Sequence, residues 1–292
     1  MDYTALMIDL QNSRSYEQRK RNRIQSQILM TISLLNQVFE KNIACPVEFS
    51  AGDEIQGLFL TPEAAYLYYR LFSMYLYPVK IRAGIGVGTW DIKIKNHSTT
   101  IQDGLVYHRA RNAIEWADGA EGYSVLFFSD YRSDITINTL IGSAAAITEN
   151  QTVYQNQLTL LTELMFPIYN PAVRSFINKI DSRLQESLHE KNEFDHLVGT
   201  ISKNKALPMD RMNAQPVMPD APINAEDAYK RFPPYIREGK KRGIPTKLSE
   251  LLNISRQVID KALKAGNVYT ARNMAITAVD EMAHLNEKVS KC

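Results

Sequence analysis

Strand-like and helix-like apolar runs alternate through the first 130 residues in an order that few folds accommodate. Residues 3–9 alternate and then run apolar, as a buried strand does. Residues 16–41 read as a helix, charged through YEQRKRNR and apolar at three- and four-residue spacing from Ile24 onward. Residues 47–50 and 55–60 are short strands joined by Ala51-Gly52-Asp53-Glu54, a hairpin with Gly52 in its turn. Thr61-Pro62-Glu63 has the N-cap, first-turn proline and early acid of a helix start, and the helix runs to Leu76. A strand at 79–87, thinned on one side by Gly84, Gly86 and Gly88, precedes a helix at 103–117 and a strand at 123–129. The order predicts an α+β fold: a ferredoxin-like (split βαβ, palm-like) antiparallel sheet domain. In that topology the first strand lies antiparallel beside the third, so its C-terminal end meets the turn between strands two and three.

Two short motifs place aspartates at that edge. ALMIDLQNSR ends an apolar run on Asp9, and EFSAGDEIQGLFL puts Asp53 in the hairpin. Paired carboxylates at a sheet edge are how a protein holds Mg2+ or Mn2+ for phosphate chemistry. The segment Leu10, Gln11, Asn12, Ser13 and Arg14 leads into a helix and offers backbone N–H groups to a phosphate. Gly52 admits close backbone approach, Glu54 adds a carboxylate, and Arg82, Arg109 and Arg111 can neutralise phosphate charge. The plainer alternative makes Asp9 the cap of the following turn and Asp53 an ordinary hairpin residue.

Beyond residue 130 the pattern turns helical, most clearly at 152–165 and 171–189, and a proline-rich stretch spans 206–234. We divide the chain at 1–147 (palm-like domain), 148–205 (helical connector), 206–240 (linker or excursion) and 241–292. Charge is unevenly spread: from Lys230 onward there are 13 Lys and Arg against 6 Asp and Glu. That excess suits an anionic partner. IPTKLSELLNISRQVIDKALKAG has the rhythm of a helix-turn-helix, with Asn253 in the turn and Ser255 capping a second helix that carries Val258, Ile259 and Leu263 inward. Ser255, Arg256, Gln257, Lys261 and Lys264 would then meet DNA phosphates and base edges. A helical hairpin for dimerisation, or simply for capping the palm, is the alternative. Cys45 and Cys292 build neither a disulfide framework nor a zinc site. Asp2 and Asp9 flank the first apolar run, against a signal peptide, and no run approaches bilayer length, so a cytoplasmic location without membrane contact is expected.

IDLQNSR, GDEIQGLFL, IRAGIGVG and DGLVYHRAR, in that order, resemble the SatD family of bacterial proteins. More remotely, they resemble the palm of class III nucleotide cyclases. That resemblance implies metal ligation by Asp9 and Asp53, and it matches Arg82 to Ile85 with an Arg-x-Gly-Ile strand and Gly104 with the start of a Gly-led helix. It also implies a nucleoside triphosphate or other nucleotide as ligand, and a homodimer, since such palms complete their sites across two copies. The chain departs from the cyclases where they carry an Asn and an Arg on that helix, having His108 and Asn112. Where they carry a base-reading Lys it has Phe49, which could stack on a base or merely pack. His108, Arg109 and Arg111 remain the catalytic candidates, with His108 as base, phosphate contact or half-buried packing residue. Metal-dependent nucleotide binding is therefore expected ahead of purine cyclisation. Two outcomes stay open: a two-metal nucleotidyl or phosphoryl transfer enzyme, or a non-catalytic DNA-binding regulator whose palm is a sensor or dimerisation module.

Overall fold

β1 (Tyr3–Leu10) lies at the centre of a five-stranded sheet and is buried on both faces, which is why its sequence is a nearly unbroken apolar run. The computed structural model describes residues 2–49, 54–93, 99–180, 183–198, 207, 219–230 and 234–289. The other strands are β2 (Ile43–Phe49), β3 (Ile55–Phe59), β4 (Ile81–Gly88) and β5 (Val125–Phe128), in the order β2-β3-β1-β4-β5. All neighbours are antiparallel except β4 and β5, which are parallel. The first four strands have the split-βαβ arrangement, and β5 extends the sheet beyond β4. Ile8 pairs with Ile55, and Asp9 with Arg82, so the end of β1 meets the start of both β3 and β4.

Two helices cover one face. α1 (Gln18–Val38) turns Ile24, Ile28, Ile32 and Leu35 onto the sheet. α2 (Pro62–Leu76) is capped by Thr61, whose hydroxyl accepts from the Ala64 N–H at 3.4 Å. Every residue of α2 except Ser73 is buried, because further helices close over its outer side.

Among the described residues α3 (Leu105–Gly119) is the one α-helix on the other face. α3 lies on the glycine side of β4, and a Cβ added at Gly84 or Gly86 would come within 2.2 Å of the Ala110 backbone. The helix therefore rests on strand backbone with no side chain between them. Gly104 opens α3 at φ 153, against the Thr89 carbonyl, a conformation for which glycine is suited.

The outer layer consists of α4 (Asp134–Glu149), α5 (Val153–Met165), α6 (Arg183–Val198), α7 (Ala225–Tyr229), α8 (Ile244–Leu252), α9 (Arg256–Ala265) and α10 (Val268–Val289). Thr152 and Gln155 form a full capping box at the start of α5. A small parallel pair joins β6 (Ile168–Tyr169) to β7 (Ile223–Asn224). At the centre of the layer Glu163 of α5 takes Arg70 of α2 at 2.5 Å and Arg272 of α10 at 2.8 Å, all three nearly inaccessible to solvent. Arg272 also donates to the carbonyls of Phe166 (2.6 Å) and Gly239 (3.2 Å).

Three expectations are corrected. The helix read at 171–189 is a 3-10 helix, Pro171–Lys179, separated from α6 by extended backbone at Ile180, whose side chain is drawn into the core. Within the proline-rich stretch, Leu207, Ile223, Ala225 and Ala228 are buried, so part of it is built into the core. Val258 does not point inward; it is 50% exposed, because Ile259 and Leu263 share a helix face that Val258 lies about 100° away from.

Candidate functional site

Alternation along β1 sorts its side chains. Leu6, Ile8 and Leu10 join the core beneath α1 and α2, while Ala5 and Met7 join the smaller cluster beneath α3. Asp9 continues the second series and so stands on the α3 face. Across the ladder Arg82 continues the series of Gly84 and Gly86. Its Nη2 donates to Asp9 Oδ2 at 2.9 Å, and its Nη1 pairs with Asp118 Oδ1 in the last turn of α3. Asp118 comes within reach because α3 runs antiparallel over β4, with Val106 and Leu105 above Gly88 and Ile114 above Gly84.

A second pair flanks the first. Glu54 takes both terminal nitrogens of Arg111, one at 2.8 Å, and this hydrogen bonding holds the Arg111 guanidinium above its ordinary pKa. Arg109, two residues earlier, points the opposite way. It donates to the Val87 carbonyl at 2.7 Å and to Asp130 at 3.2 Å, and lies over the Phe128 ring. The catalytic candidates are thus divided: Arg111 reaches the β3 side with Glu54, while Arg109 ties α3 to the strand ends near Asp130. His108 is 70% exposed with Nε2 3.4 Å from Asp103, so it is not a half-buried packing residue.

The remaining nucleotide candidates scatter. Asn12 sits in left-handed backbone (φ 56, ψ 32) before a 3-10 turn, Ser13–Ser15, and α1 begins only after Glu17. Arg14 belongs to that turn. Leu10 and Phe49 pack into the core on the α1 and α2 side, the opposite face from Asp9. Gly52 and Asp53 lie outside the described residues. Sequence reasoning missed a polar cleft of about 480 Å3 beside Arg82, lined by Gln11, Asn12, Asp118, Glu149 and Asn150 among others. The C-terminal ends of α3 and α4 meet there with Asp118 and Glu149, so its electrostatics disfavour phosphate and suit an uncharged, hydrogen-bonding group. No motif marks this cleft; finding it requires the direction in which α3 crosses the sheet.

Asp9 and Glu54 offer the hard carboxylate oxygens that Mg2+ or Mn2+ takes. Arg82 engages one oxygen of Asp9 and keeps Asp118 as a second partner, so it can yield Asp9 to a cation without being left unpaired. Among the described residues no three of His, Cys, Asp and Glu are grouped as a metal site; the second expected ligand, Asp53, is not among them. The residues present fit a divalent ion in chemistry.

The helix pair at the other end is fully described. Asn253 closes α8 in left-handed backbone (φ 51, ψ 41), Ile254 is half buried, and the Ser255 hydroxyl accepts from the Val258 N–H at 3.4 Å. Leu248, Leu252, Ile259 and Leu263 pack inward, and Gln151 anchors the end of α9 by donating to the Gly266 carbonyl at 2.8 Å. Ser255, Arg256, Gln257, Lys261 and Lys264 are all exposed, with Lys264 paired to Asp260 at 2.6 Å. No helix among the described residues is long and apolar enough to cross a membrane.

Compared with known proteins, the model of the SatD family matches residues 3–185, which spans the sheet, α1 to α5 and the start of α6. No curated protein and no solved structure matches.

Proposed function

This chain belongs to the SatD family, and we propose that it is a cytoplasmic signalling or regulatory protein that couples a metal-dependent nucleotide site on its sheet to a helix-turn-helix. The observation that carries the reading is the register at the end of β1, which sets Asp9 beside Arg82 and next to the start of β3 at Ile55, which Glu54 immediately precedes. A divalent ion held by Asp9 and Asp53 would neutralise the phosphates of a nucleoside triphosphate. Arg82, released from Asp9, holds Asp118 and orients toward the phosphates; Arg111 is positioned by Glu54. The uncharged part of the nucleotide would occupy the polar cleft beside Arg82.

The test incubates the full chain with each ribonucleoside triphosphate and Mn2+ or Mg2+, reading binding by calorimetry and products by mass spectrometry, with Asp9→Asn alongside. Metal-dependent binding lost in Asp9→Asn is expected. A product absent from the variant makes the chain a nucleotidyl or phosphoryl transfer enzyme; binding without product makes the sheet a sensor. Failure of all four nucleotides to bind with metal present defeats the reading.

The exposed basic face of α9 supports a second reading: a non-catalytic DNA-binding regulator, working as a homodimer, whose sheet is a sensor or dimerisation module. Lys261→Ala should reduce the slope of log affinity against log salt by about 1. No DNA binding at low salt would remove this reading.

A further inference from the structure

The triad of Arg70, Glu163 and Arg272 does not balance. Two guanidinium groups share one carboxylate, and the side chains are 6%, 5% and 0% exposed, respectively, for Arg70, Glu163 and Arg272. No other ion pair to either arginine occurs among the described residues. A buried charge without a partner is strongly disfavoured, so the excess positive charge calls for an anion.

A cavity lies where that anion would go. It is about 150 Å3, set between α2, the turn at Tyr77 to Lys80, and α4, and Arg70 and Tyr66 both line it. Two of their polar atoms, Arg70 Nε and the Tyr66 hydroxyl, are buried with no hydrogen-bond partner. The two side chains are neighbours, with the guanidinium 5.9 Å from the Tyr66 ring centre, and each acts on the ionisation of the other. The rest of the wall is mainly apolar, including Met74, Val79, Ile141 and Ala145. At the rim exposed Lys80 and half-buried Glu149 carry opposite charges.

We propose that this cavity binds a small monocarboxylate with a compact apolar body, its carboxylate meeting Arg70 and Tyr66 and its hydrocarbon part filling the space between α2 and α4. A cavity of this volume accommodates a single benzene-sized ring. The incoming carboxylate brings the charge to two guanidiniums against two carboxylates. Inorganic anions satisfy the charge but leave the apolar wall bare, and amines of the same shape meet the wrong sign. The site lies on the α2 face of the sheet, opposite the face that carries Asp9; it shares Glu149 with the polar cleft, and it does not depend on the nucleotide reading.

The test is calorimetric and thermal-shift titration of the full chain with benzoate, using benzylamine and sodium chloride at matched ionic strength as controls. Saturable stabilisation by benzoate alone is expected. Arg70→Met leaves Arg272 and Glu163 as a balanced pair and should fold, with benzoate affinity lowered about 30-fold or more. Ala145→Leu, which fills the cavity from α4 without touching a charge, should also abolish binding and carries the test if Arg70→Met does not fold. Absence of saturable benzoate binding, an equal response to chloride or benzylamine, or unchanged affinity in a folded variant overturns the assignment.

Discussion

Replacing Gly86 with alanine tests how α3 is seated. The new Cβ would lie 2.2 Å from the Ala110 amide nitrogen and 2.5 Å from the Val106 carbonyl, both backbone atoms of α3 that cannot rotate away. Ordinary contact begins near 3.4 Å, so the helix must withdraw by about 1.2 Å. A gap of even about 0.5–1 Å forfeits a quarter to a half of the dispersion energy across it. Val106, Tyr107, Ala110 and Ile114 all pack across this interface. At about 1.5–3 kcal/mol for a large buried side chain, the loss comes to about 3 kcal/mol, at the upper end of ordinary overpacking. Urea denaturation followed by the emission of Trp116, which packs on Phe128 5.0 Å away across the α3–β5 contact, should show the midpoint falling by about 1 M or more. Gly119→Ala is the control: it sits in the last turn of α3 with nothing within 4 Å and should be neutral or gain about 0.4–1 kcal/mol. A Gly86→Ala protein as stable as wild type would refute the backbone-to-backbone seating of α3. Because Asp118 and Arg111 ride on the same helix, a shift there should also weaken the nucleotide binding proposed for the Asp9 edge.

Burial raises the Glu63 carboxyl above its ordinary range, against partial relief from Thr61 and Asn170. Its stability contribution is complete below the unfolded carboxylate pKa and is lost as pH rises through the folded value. Glu63→Gln keeps the oxygen that accepts from Asn170 and should gain more over wild type at about pH 7 than at about pH 4.5; equal gains at both would refute it. Arg272→Met leaves a charge-balanced Arg70–Glu163 pair but strips the donors from the Phe166 and Gly239 carbonyls. It should cost about 3 kcal/mol and speed proteolysis near Gly239 more than in the sheet, as limited digestion with mass spectrometry would reveal.

The strand order and the meeting of β1 with the start of β3 were legible because period and turn chemistry are local signals. So was the turn between α8 and α9, since Asn253 and Ser255 act on their own backbone. The glycines of β4 announced a thin side but not its tenant, which depends on α3 crossing antiparallel. For the same reason Asp118 stayed hidden as the second partner of Arg82. Arg70, Glu163 and Arg272 are far apart in the chain, and no local pattern foretells that three charges will share one buried point. Val258 was misread because apolar neighbours in sequence are not neighbours around a helix.

The enclosure of α2 has a bearing on hydrogen exchange. A helix with water on no side has no cheap local opening, so its central amides exchange only when the sheet face and the outer helices separate together. Deuterium uptake at α2 therefore measures the free energy of dismantling the whole molecule, while uptake at exposed α9 measures local fraying. A ligand bound in the cavity against Arg70 should slow exchange at α2, giving a readout of occupancy that needs neither product nor DNA.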